Sequence, residues 1–275
     1  MVKNKKTFIF CGLLIIFLLI LYKLIDAIYI SSIKITWRDD LLIGHAFGEV
    51  DGDTYTNSKE AFNAAYSRGI RLFEVDFQLT ADNKIVLCHD FLDGPETEEQ
   101  FLNTKIKNKY TPLSLLDLLK IMHEYPDIYI VLDSKYDDEE NIKLEFNEMK
   151  NVAIENNLLE TFNRVIVQVY SEQMYEYVNR IYPFPKYIFT LYKRYEDKIS
   201  DMKDLEYITS WAHNNNFFAI TMWKEWFNND VNEIMKKYDM KVYVHTVNNV
   251  GTAKKSIKNG VYGVYTDSIS RNDLK

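Results

Sequence analysis

The chain has 275 residues, 47% of them apolar, and a formal net charge of −7. That much apolar material supports a large core and excludes wholesale disorder, and the lack of a basic stripe excludes a nucleic-acid partner. The only cysteines, Cys11 and Cys88, lie far apart in sequence and give no disulfide framework.

The N-terminus comes first. Lys3, Lys5 and Lys6 precede a charge-free apolar run over residues 8–22; Lys23 and Asp26 interrupt it before it continues to Ile30. Because Lys23 can snorkel, roughly 20 residues can cross a bilayer. No small-x-small cleavage site follows, which favours an uncleaved transmembrane anchor over residues 1–30 against a cleaved signal peptide. The positive flank places the N-terminus in the cytoplasm and the rest of the chain outside it. Residues 31–40 read as a polar linker.

From residue 41 onward, strand-like and helix-like stretches alternate. Strands are expected at 41–46, 71–78, 128–134, 164–170, 186–192, 217–222, 241–247 and 262–266. Eight strands separated by helical patterns, over a length close to the ~250 residues typical of such folds, predict a TIM (β/α)8 barrel spanning 41–275. Asn57-Ser58 caps a helix that Gly69 ends, and Ser114 to Asp117 has capping-box spacing. Residues 137–156 form a longer amphipathic helix, and 249–259, stopped by Gly260, the last connecting one. The apolar run 84–88 follows its neighbour too soon for a parallel crossover, so it must form an extra antiparallel β-hairpin. That hairpin carries His89 and Asp90 toward the barrel mouth.

The chemistry-bearing residues fall at predicted strand ends, where barrels build their sites. His45, in GHAFG, can exchange protons near neutral pH. In FEVDF, Glu74 and Asp76 point to one face while Phe73, Val75 and Phe77 take the other. Two such carboxylates repel unless a cation or a proton is shared, and a hard divalent cation such as Mg2+ or Ca2+ suits oxygen ligands. In LDSK, Asp133 can add a third carboxylate, and Lys135 can offset charge on a phosphate. His89 carries little information alone. Tyr170, Trp223 and His245, at later strand ends, can wall a pocket.

Taken in order, GHAFG, TNSKEAFNAAYSRGIRLFEVDFQLTADNKIVLCHD, VLDSK, VHTVN and GVYGVYTD resemble the glycerophosphodiester phosphodiesterase family across residues 41–267. The family pattern runs His-Arg-Gly, Pro-Glu-Asn-Thr, Glu-x-Asp, Thr-x-Asp-Gly, His-Asp, Glu-x-Lys, Thr-Val-Asn and Thr-Asp. Here Ala46 stands for the arginine, removing one phosphate contact. Pro-Glu-Asn-Thr is reduced to Tyr55-Thr56-Asn57-Ser58, in which only Asn57 carries over. Asp133 replaces the glutamate of Glu-x-Lys, and His245 replaces the aromatic before Thr-Val-Asn. Lacking the arginine and using Asp-x-Lys are also features of the sphingomyelinase D toxins, and a barrel with two histidines is shared with phosphatidylinositol-specific phospholipases C.

The resemblance implies a phosphodiesterase in which His45 and His89 form an acid/base pair and Glu74, Asp76 and Asp133 hold the cation. Lys135 and Asn57, with Tyr170, Trp223 and His245, would meet substrate. A bound cation would also offset the repulsion between an acidic protein and a phosphodiester. A glycerophosphodiester, a phospholipid and a glycerol-phosphate polymer all remain open as substrates, and water or the substrate's own hydroxyl as attacker. The polar stretch 91–112 is expected to cover part of the mouth and help choose among them.

Overall fold

The computed structural model describes residues 41–91 and 96–275. The expected anchor and linker, residues 1–40, lie outside the described residues. Among the described residues no helix is long and apolar enough to cross a membrane.

Eight parallel strands close into a ring: β1 (Leu42–Gly44), β2 (Leu72–Leu79), β4 (Tyr129–Ser134), β5 (Val165–Val169), β6 (Lys186–Thr190), β7 (Ala219–Trp223), β8 (Lys241–His245) and β9 (Gly263–Thr266). Closure comes from β1, which pairs with both β2 and β9. The ninth strand, β3 (Ile85–Val86), runs antiparallel to β2. Asn83 takes the left-handed turn between them, at φ 57°, a conformation asparagine tolerates well. The barrel and its hairpin are therefore as the sequence predicts, with shorter strands than expected at most ends.

Helices α1 (Lys59–Ser67), α2 (Glu98–Asn103), α3 (Leu115–Glu124), α4 (Glu139–Glu155), α5 (Glu172–Ile181), α6 (Met202–Asn214), α7 (Asn229–Lys237) and α8 (Val250–Lys258) pack outside the ring or on its connections. Each starts at a Ser, Thr, Asp or Asn whose side chain accepts a backbone N–H of the first turn: Ser58, Thr97, Ser114, Asp138, Ser171, Asp201, Asn228 and Asn249. Such caps satisfy donors that the helix itself leaves open, at about 1 kcal/mol each. At α1 the cap is Ser58 alone, because Asn57 is turned elsewhere.

Two-residue alternation then sorts each strand. On β2, Phe73, Val75 and Phe77 join the apolar layer under the helices, while Glu74 and Asp76 face the lumen. Phe73 meets Phe62 of α1 at 5.4 Å, and Phe77 meets Phe146 of α4 at 5.9 Å. The lumen is partly polar: the Tyr265 hydroxyl on β9 donates across it to Gln168 Oε1 on β5 at 2.9 Å. It is also tight where β9 enters. A Cβ on Gly263 would come within 2.6 Å of the Tyr243 ring and 2.7 Å of the Leu41 carbonyl oxygen. Gly263→Ala is accordingly expected to destabilise the barrel by about 1–3 kcal/mol, read as a lower urea midpoint at unchanged slope.

Candidate active site

The site begins where β1 ends. Rather than continuing as a strand to Ala46, the chain leaves at Gly44 and coils tightly, with Ala46 and Phe47 left-handed at φ 47° and 66°. Phe47 is driven under the surface, 5.4 Å from Phe62 and 5.7 Å from Phe73, and anchors the turn. The turn aims the Ala46 N–H at Glu74 Oε2, 2.8 Å away. It also leaves His45 at the mouth.

Strand register supplies the carboxylates. Asp76 on β2 lies opposite Asp133 on β4, and Asp133 opposite Gln168 on β5. Glu74, Asp76 and Asp133 are all buried, and each offers an oxygen within 4.8 Å of the others. Neutral donors and one cation hold them. Asn57 Nδ2 donates to Asp76 Oδ2 at 2.8 Å, and the Asp76 N–H donates back to Asn57 Oδ1 at 3.1 Å. Gln168 Nε2 donates to Asp133 Oδ1 at 2.7 Å, and the Tyr170 hydroxyl donates to the same oxygen. Lys135 bridges the pair, with its ammonium on Asp133 Oδ2 at 2.7 Å and on Asp76 Oδ1.

The electrostatics follow from crowding. Burial and the neighbouring Asp76 charge push Glu74 well above the usual carboxylate range. Burial works the same way on Asp76, but the Lys135 ammonium and the Asn57 amide outweigh it and hold that carboxyl low. Burial would lower Lys135, yet the three carboxylate charges dominate and raise it. One ammonium thus faces three buried carboxylates. Oxygen ligands of Mg2+ and Ca2+ stand about 2.0–2.6 Å from the ion, so oxygens within 4.8 Å of one another can share one. The donor set fits a hard divalent cation.

Two histidines face this cluster. His45 Nδ1 pairs with Asp267 Oδ1 at 2.9 Å, and Asp267 is itself fixed by the Asn248 amide at 2.6 Å. Burial opposes charge on His45, but the Asp267 hydrogen bond and the charges of Glu74, Asp267 and Asp76 prevail and raise it to about 9. His89 enters from beyond β3. Cys88 N–H bonds to the Asp76 carbonyl at 3.1 Å, and Gln78 Nε2 holds the His89 carbonyl at 2.6 Å. Its Nδ1 pairs with Asp90.

Together these groups border a cavity of about 210 Å³ lined by His45, His89, Asp76, Asp133 and Lys135 on one side. Tyr170, Tyr192, Lys193, Trp223 and His245 line the other. Trp223 stacks on His245 at 4.5 Å, and burial lowers His245 to about 3, leaving a neutral imidazole whose Nε2 has no partner. The structure thus gathers every residue singled out from sequence. Asn57 differs in position: it is fully buried behind Asp76, with both ends of its amide used.

Other participants carried little sequence signal. Asp267 was visible only as part of a closing Thr-Asp, 222 residues from the histidine it orients. Gln168 and Tyr192 look like ordinary strand residues. Tyr55 stands edge-on between the two histidine rings, 4.6 Å from His45 and 5.0 Å from His89. The His45–Asp267 pair gives a signed expectation. With a folded value of about 9 against an ordinary 6.5, it stabilises the fold below pH 6.5 and loses that contribution as pH rises to 9. In chelator-treated protein, NMR titration should place His45 well above the ordinary 6.5 of an imidazole, and Asp267→Asn should bring it down.

The sequence profile of the Glycerophosphoryl diester phosphodiesterase family matches residues 51–271. No curated protein matches the sequence significantly. Among solved structures, a candidate glycerophosphodiester phosphodiesterase from Galdieria sulphuraria superposes with a TM-score of 0.67 at 16% identity, covering 85% of this chain and 95% of that one. A glycerophosphodiester phosphodiesterase from Parabacteroides distasonis gives 0.63 at 18%, over 83% and 93% of the two chains. A phosphodiesterase from Oleispira antarctica, solved with the product sn-glycerol-3-phosphate, gives 0.61 at 16%, over 83% and 93%. At these identities the structures speak for the fold; the profile match, over most of the barrel, shows that the chain belongs to the glycerophosphoryl diester phosphodiesterase family and is a phosphoric diester hydrolase.

Proposed function

We propose that the chain cleaves glycerophosphodiesters with a divalent cation, Mg2+ or Ca2+, held by Glu74, Asp76 and Asp133, and with His45 and His89 as acid and base. The observation that supports this most is a pairing repeated at both histidines. Each has Nδ1 engaged by a carboxylate, Asp267 or Asp90, and both border the cavity that Asp76, Asp133 and Lys135 line. Engaging Nδ1 leaves Nε2 for proton exchange.

When bound, the cation would supply positive charge to a non-bridging phosphate oxygen. The protein's own groups do the rest. Lys135 adds charge beside the phosphate, a larger share of the work where Ala46 stands in place of the family arginine. One histidine takes a proton from the attacking oxygen and the other gives one to the departing alcohol. Asn57, Gln168 and Tyr170 keep the ligand carboxylates in place. Trp223 and His245 wall the pocket for the alcohol portion.

We also read residues 1–30 as a membrane anchor, 31–40 as a linker and 41–275 as the catalytic unit, outside the cytoplasm. The support is the lysine-flanked apolar run in the sequence. Such tethering would bring the site close to phospholipid head groups or glycerol-phosphate polymers.

The test is ³¹P NMR of the full chain with Mg2+ or Ca2+ against glycerophosphocholine, glycerophosphoethanolamine, a lysophospholipid, phosphatidylinositol and a glycerol-phosphate polymer. The reading requires turnover of a glycerophosphodiester, and a cyclic phosphate signal would identify the substrate hydroxyl as attacker. No turnover of any member contradicts it. His45→Ala and His89→Ala should each lower kcat by about 10²–10⁴-fold, and EDTA should stop the reaction until cation is restored.

A further inference from the structure

The mouth does not end at His89. A second cavity of about 200 Å³ lies across Tyr55 and His89, which line both spaces. Its walls are of another kind. Leu87, Phe91, Phe101 and Ile106 give it an apolar wall that the first lacks, with Asp90, Glu96, Lys105 and Lys107 also on its lining. The ammonium groups of Lys105 and Lys107, on the same segment, are engaged with Thr111 and Asp53 at 2.9 and 2.7 Å.

This space is built by two loops fastened together. Tyr55 sits in the left-handed region at φ 58° and is 48% exposed, so its own burial does not hold it there. The loop before it closes on itself through Val50 and Asp53. It is then tied to residues 107–110: Asp53 accepts from Lys107 and from the Tyr110 hydroxyl at 2.7 Å each, and Asp51 pairs with Lys109 at 2.6 Å. The Tyr110 ring is buried, and its hydroxyl also reaches the Val50 carbonyl at 3.0 Å. Ile106 opens that same turn, bridged to Tyr110. Phe91, Phe101 and Ile106, from a stretch that is polar in sequence, thus meet at one cavity beside the histidines.

We infer that this second cavity receives an aliphatic chain carried on one alcohol substituent of the phosphodiester, with Tyr55 as the partition that separates it from the phosphate. The inference rests on the phosphodiesterase reading above, which puts the phosphate in the first cavity. A phosphodiester carries two substituents on phosphorus. One can lie toward Trp223 and His245; the other passes His89 into the apolar space that continues from the site. An aliphatic chain gains there by leaving water, and a small polar alcohol does not.

The test compares kcat/KM of the full chain, with Mg2+ or Ca2+, on three monomeric substrates. They are glycerophosphocholine, its hexanoyl ester on the glycerol, and hexyl glycerophosphate, which carries the chain on the other alcohol. One of the two chain-bearing substrates should be preferred by ~10-fold or more, and which one identifies the alcohol concerned. Ile106→Asp, which charges the cavity, and Ile106→Trp, which fills it, should each erase that preference, and Ile106→Val should keep it. Equal kcat/KM on all three, or a preference that both disruptive variants retain, overturns the inference and leaves the phosphodiesterase reading intact. Failure to turn over any of the three overturns both.

Discussion

Three carboxylates buried at one point, with a single lysine between them, are the constraint around which the rest of the barrel mouth is arranged. Burying a charge is costly unless it is paired and hydrogen-bonded. Glu74, Asp76 and Asp133 meet that condition only in part: each has an oxygen held by a neutral donor, and Lys135 covers two of them. The unbalanced negative charge is what a divalent cation would offset. It also explains why the neighbouring groups are so specific in placement. The left-handed turn after β1, the buried Asn57 and the Gln168–Tyr265 bond across the lumen all fix one of these carboxylates or the residue that fixes it.

The same field reaches the histidines. His45 is largely enclosed, yet the surrounding carboxylates keep it charged to about pH 9, whereas His245, at the end of β8, is held neutral by burial. Two imidazoles at one mouth are thereby separated in character by their neighbours alone. That separation supports assigning proton transfer to His45, and a wall position to His245.

Much of this was legible in the sequence because it depends on short-range rules. Alternation alone put Glu74 and Asp76 on one face, and the register of adjacent parallel strands brought Asp133 beside them. Every α-helix among the described residues opens on a capping side chain of the expected kind. The spacing after β2 allowed only a hairpin. What escaped were features set by closure of the ring or by unusual backbone. Asp267 meets His45 only because β9 returns to β1. Asn57 leaves the cap to Ser58 because a left-handed backbone, at φ 46°, turns it toward Asp76. Tyr55, in place of a family proline, gave no hint that it would stand between two histidines.

Whether the carboxylate cluster is a cation site is tested most directly by calorimetric titration of the chelator-treated full chain with Mg2+ and with Ca2+. One cation per chain is predicted for the wild type, with binding lost in Glu74→Gln and Asp133→Asn while both variants remain folded by circular dichroism. A wild-type protein that binds neither cation, or variants that bind as well as the wild type, would show that the cluster is not a cation site.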